Sequence, residues 1–517
     1  MPAAPAGRIY LGPCRAAAAA GLNPAGLKSD GFYLQTRGGD LFIIGRDGPE
    51  DPLQTTTLAG TLMGVYELLE TQLGVRWLWP GELGTEVPRR TELTLPDLNL
   101  RYEPPLLQRQ VRSGLNLRGD LSRGFTAEGA SAYARAQTVF LRRHRMAQTV
   151  PLKYGHAYES WWEQHGQQHP EWFQLLANGK RGPASPRSRF SMCVSNPEFH
   201  EQVVQTWREL RQTRPGINLN GCENDIAGLC TCESCLAWDG PQPTDIHPRF
   251  GPRVVSDRYA QFWLTVQQMA AKEDPSAFVL GYAYVNYAPP PSEKIKLNEN
   301  VWVGTVPDLF FPRSEEEQAW VKTQWEGWRR TGCRLFLRPN YTLDGYCMPQ
   351  IYATQFADEF RFEAERGMIA TDFDSLTGQW STQGPNLYLL MRLHTRFERT
   401  ADDLLAEYYA GFGPAGPKVR EYFEQWERYS NDVVRKGKAS GMGIYSTYAS
   451  QAHLLFPEEA LAASDKILAE AAALAREPAH TARVAWLRKG LEHAILASRT
   501  ARLMAGGDDR YRPSAAR

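Results

Sequence analysis

The sequence predicts an α/β protein built on a TIM-type (β/α)8 barrel, with a small α+β domain before it and a helical C-terminal region after it. Three observations carry this. Strand-like and helix-like segments alternate from about residue 106 to 400. The segment before them holds a hairpin and one amphipathic helix, and the segment after them shows helical periodicity alone. A chain of 517 residues exceeds one hydrophobic core, and the boundaries fall at 1–104, 105–400 and 401–517. A doubly wound open sheet is the structural alternative.

In the first domain, Ile9-Tyr10-Leu11, Gly31 to Thr36 and Asp40 to Gly45 read as strands, the last two joined through Gly38-Gly39. Leu62, Val65, Leu68, Leu69 and Leu73 share one face of a helix over Leu58 to Leu73, which Gly74 ends. Arg76 to Gly81 gives a strand and turn, and Pro104-Pro105 marks the boundary. Barrel strands are expected at Leu107 to Arg112, Ala147 to Tyr154, Phe190 to Val194, Ile217 to Gly221, Phe278 to Tyr287, Val301 to Val306, Arg334 to Arg338 and Met368 to Asp372. Helices are expected between them at Pro197 to Arg211, Asp257 to Lys272, Glu315 to Arg330 and Gln350 to Arg366. Four more follow at Ala401 to Ala410, Gly416 to Lys436, Pro457 to Ala475 and Thr481 to Leu503.

The 58 basic residues balance the 58 acidic ones, which argues against general affinity for nucleic acid or an acidic membrane. Fifteen Trp and 22 Tyr provide flat amphipathic rings that suit sugar faces as well as a large core. No apolar run approaches the roughly 18 residues of a membrane helix. The opening residues Met1 to Arg8 lack the apolar core of a signal peptide. The chain as it stands is therefore expected to be cytoplasmic; a start further upstream would restore the possibility of export.

Polar residues collect where the expected strands end: Arg109, Arg112, Tyr154, His156, Glu223, Asn224, Asp225, Tyr284, Asn286, Tyr287, Asp308, Asn340, Tyr341, Asp344, Asp372, Asp374 and Trp380. Carboxylates, tyrosines, a histidine and a tryptophan around one barrel mouth fit glycoside chemistry. One carboxylic acid protonates the leaving oxygen, and a second carboxylate or a substrate group stabilises the oxocarbenium-like carbon. Asp225 is the expected acid; capping of the next turn is its structural reading. Asp372 and Asp374 share one face of a strand and are the expected second carboxylate, with Asp308 a third choice. Arg109 and Arg112 are expected to fork a substrate carboxylate, which points to a uronic acid. His156, Asn224, Tyr284, Tyr341 and Trp380 are expected to bind the sugar. Cys222, Cys230, Cys232 and Cys235 have the density of a structural zinc site, a disulfide pair or packed thiols. Cys14, Cys193, Cys333 and Cys347 look scattered. No cofactor is required beyond that zinc.

The segments Gly60 to Glu70 and Leu73 to Gly84 resemble the N-terminal domain of family 67 α-glucuronidases. His169-Pro170-Glu171-Trp172-Phe173, Gly179-Lys180-Arg181, Cys193 to Glu198, and Asn224-Asp225 with the Cys-x-Cys-x-x-Cys run are similar to the domain-of-unknown-function 4838 family. The resemblance covers about residues 8 to 430. It implies a barrel of the α-glucuronidase and β-hexosaminidase type and a carbohydrate-active function, without fixing a substrate; the expected target is a uronic-acid or N-acetylhexosamine glycoside. Ile226 stands where that family usually has Gly. Three rival readings remain: a carbohydrate-binding protein without hydrolysis, a metal-dependent enzyme using the cysteines, and a polysaccharide lyase with Tyr284, Tyr341 or His156 as base.

Overall fold

The computed structural model describes residues 7–113, 126–242, 251, 253–307, 311–343, 348–376, 379–441 and 448–506. The N-terminal part is a four-stranded sheet with one main helix. Its elements are β1 (Ile9–Leu11), α1 (Arg15–Ala19), β2 (Phe32–Arg37), β3 (Asp40–Gly45), α2 (Gly60–Thr71), the small pair β4 (Arg76–Trp77) and β5 (Thr85–Glu86), and β6 (Asn99–Tyr102). The sheet order is β1-β3-β2-β6. The β2–β3 turn requires left-handed backbone at Gly38 and Gly39, with φ of 58° and 87°. Helix α2 lies so close to β3 that a Cβ on Gly45 would sit 2.0 Å from the backbone of Gly60.

The second sheet positions the site. It is a curled, all-parallel half-barrel of six strands in the order β7-β12-β11-β10-β9-β8. Its elements in chain order are β7 (Gln108–Ser113), α3 (Ala127–Arg143), α4 (Trp161–His165), α5 (Pro197–Thr213), β8 (Leu219–Asn220), α6 (Glu233–Trp238), α7 (Ser256–Ala271), β9 (Val279–Ala283), β10 (Val301–Thr305), α8 (Glu315–Arg329), β11 (Arg334–Leu337), α9 (Ala353–Ala364), β12 (Met368–Leu376) and α10 (Gly384–Arg396). Alternate residues separate its two faces. Val279, Val301, Val303, Leu335 and Leu337 pack outward in the main core with Trp263, Trp325 and Trp328. Leu280, Tyr282, Trp302, Phe336 and Ala370 form a separate cluster with Cys222 on the concave side.

Two of the eight expected strands are not strands. Segment 147–157 crosses between the two edges of the sheet without forming a ladder. Ala147 exchanges both backbone hydrogen bonds with Arg109 on β7. The Asn218 side chain takes the place of a strand partner, accepting from Lys153 N and donating to Lys153 O, both at 2.7 Å. The Asn220 amide donates to Gly155 O at 2.9 Å. Pro151 lacks an N–H and Gly155 has φ of 102°, so this segment cannot hold regular pairing. Phe190 to Val194 reaches only an isolated antiparallel bridge, Met192 with Phe173, because side chains capture two of its donors: Ser191 N donates to the Gln174 side chain and Met192 N to the Glu223 carboxylate.

The C-terminal part is helical: α11 (Ala401–Ala410), α12 (Gly416–Tyr429), a π-turn over Ser430–Val434, α13 (Arg435–Ala439), α14 (Tyr448–Leu455), α15 (Glu458–Leu474) and α16 (Pro478–Ala505). Buried ion pairs lock the parts together. Glu67 and Glu70 of α2 face Arg145 and Arg396, Arg392 also pairs with Glu70, and Glu407 takes Arg76, Arg392 and Arg399. Burial alone would raise the Glu70 carboxyl, but Arg145, Arg392 and Arg396 hold it well below the usual carboxylate range. Among the described residues no helix is long and apolar enough to cross a membrane.

Candidate active site

Parallel strands place every C-terminal end on the same rim of the sheet, and the carboxylates gather there. The concave face of β7 and β12 presents Gln108, Gln110, Arg112, Asp372 and Asp374. Arg112 forks Asp372, with Nε and Nη2 at 2.9 and 2.5 Å from its two oxygens. Asp372 is fully buried. The Tyr154 hydroxyl accepts from Gln108 and donates to Gln110 at 2.9 and 3.0 Å. Burial and the charge of Asp372 push that phenol up. One step further along β12, Asp374 receives Arg338 Nη2 at 3.1 Å. The other Asp374 oxygen and Arg338 Nε are buried without a partner among the described residues. The Arg338 guanidinium sits 5.7 Å from the centre of the Tyr282 ring. Tyr282, whose hydroxyl also lacks a partner among the described residues, is pushed well above the ordinary phenol value by burial.

Asp225 lies on the loop after β8. Tyr284 Oη donates to its Oδ1 at 2.6 Å, and Arg189 Nη1 pairs with its Oδ2 at 2.5 Å. The side chain keeps 28% of its surface exposed. His156 is exposed beside it. Its Nδ1 donates to Glu223 O at 2.8 Å, which leaves Nε2 as the free acceptor, and its ring lies 6.5 and 6.3 Å from those of Tyr282 and Tyr284.

The loop is held by its neighbours in sequence. Asn224 Oδ1 accepts from Tyr158 N and its Nδ2 donates to Phe190 O, both at 3.0 Å. The Asn286 side chain accepts from Gly228 N and donates to Gly228 O, at 2.8 and 3.1 Å. Between Tyr284 and Asn286, Val285 takes φ of 45°, a strained conformation for a β-branched residue. It turns Tyr284 toward Asp225 and Asn286 toward the loop. Glu223 is buried and accepts from Met192 N, Asn224 N and Tyr259 Oη at 2.8–2.9 Å. Burial raises its carboxyl to about 7 because these three donors offset only part of the desolvation.

Four expected sugar contacts are elsewhere. Arg109 is 1% exposed and points to the convex side, where it pairs with Asp30 at 3.0 Å and donates to Arg145 O and Leu106 O. Asn224 spends its amide on bracing the loop. Tyr341 is buried between Arg313 and Glu359, donating to the carboxylate and accepting from Arg313 at 3.0 Å. Burial raises its phenol far beyond use as a base. Trp380 is 3% exposed, packs on Phe140 and donates to Tyr133 Oη at 2.7 Å. Asp308 and Asp344 lie outside the described residues. A small cavity of about 30 Å³ lies between β10 and α8, lined by Val321, Trp325, Trp328 and Glu363 and by Ala283 and Thr305 at the ends of β9 and β10.

The cysteines regroup. Cys222 turns to the concave core, with its Sγ 3.5 Å from Leu280 O. Its expected place beside Cys230, Cys232 and Cys235 is taken by Cys193. Arg189, Arg338 and Tyr282 join the rim although they were not among the expected site residues. Arg338 and Tyr282 carried a signal, since each ends or lines a strand at the same parity as Tyr284 and Asp372. Arg189 carried none.

The family model described as "Domain of unknown function (DUF4838)" matches residues 79–424. No curated protein sequence matches the chain. Among solved structures, the chain is similar to a family 89 glycoside hydrolase from Clostridium perfringens in complex with PUGNAc. The identity is 10% and the TM-score 0.49, over 92% of this chain and 58% of that one. It is also similar to a glycoside hydrolase family 20 β-N-acetylglucosaminidase, at 11% identity and TM-score 0.38 over 78% and 86% of the two chains. A third is a GH138 enzyme targeting pectin rhamnogalacturonan II, at 9% identity and TM-score 0.41 over 97% and 67%.

Proposed function

The chain belongs to the family described as Domain of unknown function (DUF4838), and within it we propose a glycoside hydrolase working on the concave rim of the parallel sheet. The observation that carries this reading is a pair of partly exposed carboxylates on one rim, Asp225 on the loop after β8 and Asp374 near the end of β12. Asp225 is held by Tyr284 and Arg189, and Asp374 by Arg338 alone among the described residues. Asp225 delivers the proton to the leaving glycosidic oxygen. Asp374, with one oxygen unpartnered there, stands as the second carboxylate at the oxocarbenium-like carbon. Asp372 is sealed beneath it by Arg112 and shapes the floor. Tyr284, packed over the buried Tyr282, gives the sugar a flat apolar face with its hydroxyl at the edge, and His156 offers Nε2 to a sugar hydroxyl.

Charge decides between the two sugar classes. Arg112 and Arg338 keep the carboxylates Asp372 and Asp374, and Arg189, which faces Asp225, is two-thirds exposed and solvated while that group carries its proton. A uronate would enter as an unpaired negative charge, because Arg109 faces away. The balance favours a neutral sugar, and of the two classes the N-acetylhexosamine glycoside. The sheet of residues 9–102 is a support for this rim, docked through Asp30 onto Arg109; kinship with the α-glucuronidase N-terminal domain fits that role.

The test is a panel of aryl N-acetylhexosaminides and uronides with the wild-type chain, with Asp225→Asn as control. Hydrolysis of the neutral glycosides, lost in the variant where the aryl group is a poor leaving group, supports the proposal. Release only from uronides overturns the sugar assignment, and release from none overturns hydrolysis.

A further inference from the structure

Cys193, Cys230, Cys232 and Cys235 are all buried, and their sulfur atoms all lie within 4.8 Å of one another. Cys193 Sγ is 3.5 Å from Cys232 Sγ and 3.8 Å from Cys235 Sγ. Four thiolates at about 2.3 Å from one zinc ion span tetrahedron edges of about 3.8 Å. The observed spacings are those of ligands gathered round one ion, and none of the four forms a disulfide.

The surroundings are those of thiolates rather than of packed thiols. Leu175 N donates to Cys230 Sγ at 3.3 Å and Cys235 N to Cys232 Sγ at 3.4 Å, while Ser195 Oγ lies 3.1 Å from Cys235 Sγ. Such donors orient metal ligands and spread their charge. Among the described residues only Leu175 packs on the cluster as an apolar neighbour. Arg258, forked by Asp239, donates to the backbone carbonyl of Cys230 at 2.8 Å and braces the loop beside the sulfurs.

We propose that Cys193, Cys230, Cys232 and Cys235 form a closed tetrathiolate site for one structural zinc ion. Four sulfur ligands fill a tetrahedron and leave no open position for substrate or water, so the ion has no part in the chemistry. Its role follows from what it joins. Cys193 sits on the segment that also carries Arg189 and Met192. Cys230 and Cys232 sit on the loop that carries Glu223 and Asp225, and Cys235 on the helix α6 that this loop leads into. One ion therefore staples the two segments whose contacts fix Asp225: Arg189 to its carboxylate and Met192 N to Glu223. Cys222, three residues before Asp225, takes no part.

The proposal is tested on the purified full chain by elemental analysis, which needs no substrate and so stands or falls separately from the hydrolase reading. One zinc per chain is expected. It should be retained in Cys222→Ser and Cys333→Ser and lost in Cys193→Ser. Should Cys193→Ser fail to fold, titration of the wild-type chain with an organomercurial reads the same site. Zinc release should then be complete after the stoichiometric block of these thiols, and cobalt exchanged into the protein should show thiolate-to-metal charge transfer. Absence of metal, iron in place of zinc, or a mass showing a disulfide within this set would each overturn it, as would undiminished zinc in a folded Cys193→Ser.

Discussion

Raising the pH from 4.5 to 8 should cost the folded chain about 3 kcal/mol through Glu223 alone. Burial pushes this carboxyl up to about 7, against about 4.5 for a free glutamate side chain. Between those values the folded chain keeps a proton on Glu223 that the unfolded chain has released. Stability is therefore fully present below about 4.5 and falls as the pH rises through about 7. The interval, at 1.36 kcal/mol for each pKa unit, gives about 3 kcal/mol. The perturbation is Glu223→Gln, which keeps the shape and one acceptor and cannot ionise. Other titrating groups are common to both chains and cancel in the difference between them. For a chain of this length the effect amounts to about 3 °C in thermal midpoint when it unfolds as one unit. Differential scanning calorimetry of both proteins across this pH range is the assay. The wild-type midpoint should drop relative to the variant's as pH rises. Parallel curves would refute the argument, showing that the three donors around Glu223 fully offset its burial.

Three further outcomes are expected. Arg109→Ala should destabilise the chain by about 3–5 kcal/mol, because it strands the buried Asp30 carboxylate; a lowered thermal midpoint with unchanged substrate affinity in the surviving fold checks this, and a selective rise in KM would return Arg109 to the site. His394 is buried with Nδ1 donating to Leu390 O and Nε2 accepting from Thr371 Oγ1, and burial lowers it to about 3. Its contribution is present above pH 6.5 and is lost as the pH falls toward 3, so His394→Gln should flatten the acid limb of the stability profile, read by circular dichroism. Tyr284→Phe removes the 2.6 Å donor to Asp225 and should shift the pH–rate profile while leaving the unfolding free energy within about 1 kcal/mol of wild type; an unchanged profile would detach Tyr284 from the reaction.

Much of the fold is legible in the sequence because periodicity reports burial. The strand Asp40–Gly45 and the helix Ala401–Ala410 have the bounds their patterns gave, and the helices flanking β8 to β12 differ by a few residues at their ends. The two absent strands were illegible for a physical reason. Segments 147–154 and 190–194 are apolar and extended, but side chains far off in sequence satisfy their backbone groups: Asn218 in one case, Glu223 and Gln174 in the other. The site was partly legible. Parity placed Asp372 and Asp374 on one face, and the same rule separates Arg109 from Arg112, since three positions apart on a strand means opposite sides. Asn224-Asp225 marked a loop that reaches the rim, but adjacency hid a division of labour in which one side chain braces and the other faces the rim. Cys193 was hidden because its partners lie about 40 residues away, across a fold that only the structure brings together.

The role of Asp225 is tested most directly by how its loss depends on the leaving group. Proton donation matters when the departing oxygen is a poor leaving group and matters little when it departs unaided. With Asp225→Asn, kcat/KM should stay near wild type for a dinitrophenyl N-acetylhexosaminide and fall about 10²–10⁴-fold for an unactivated disaccharide. An equal fall on both substrates would make Asp225 something other than the acid. Full activity on both would remove it from the mechanism.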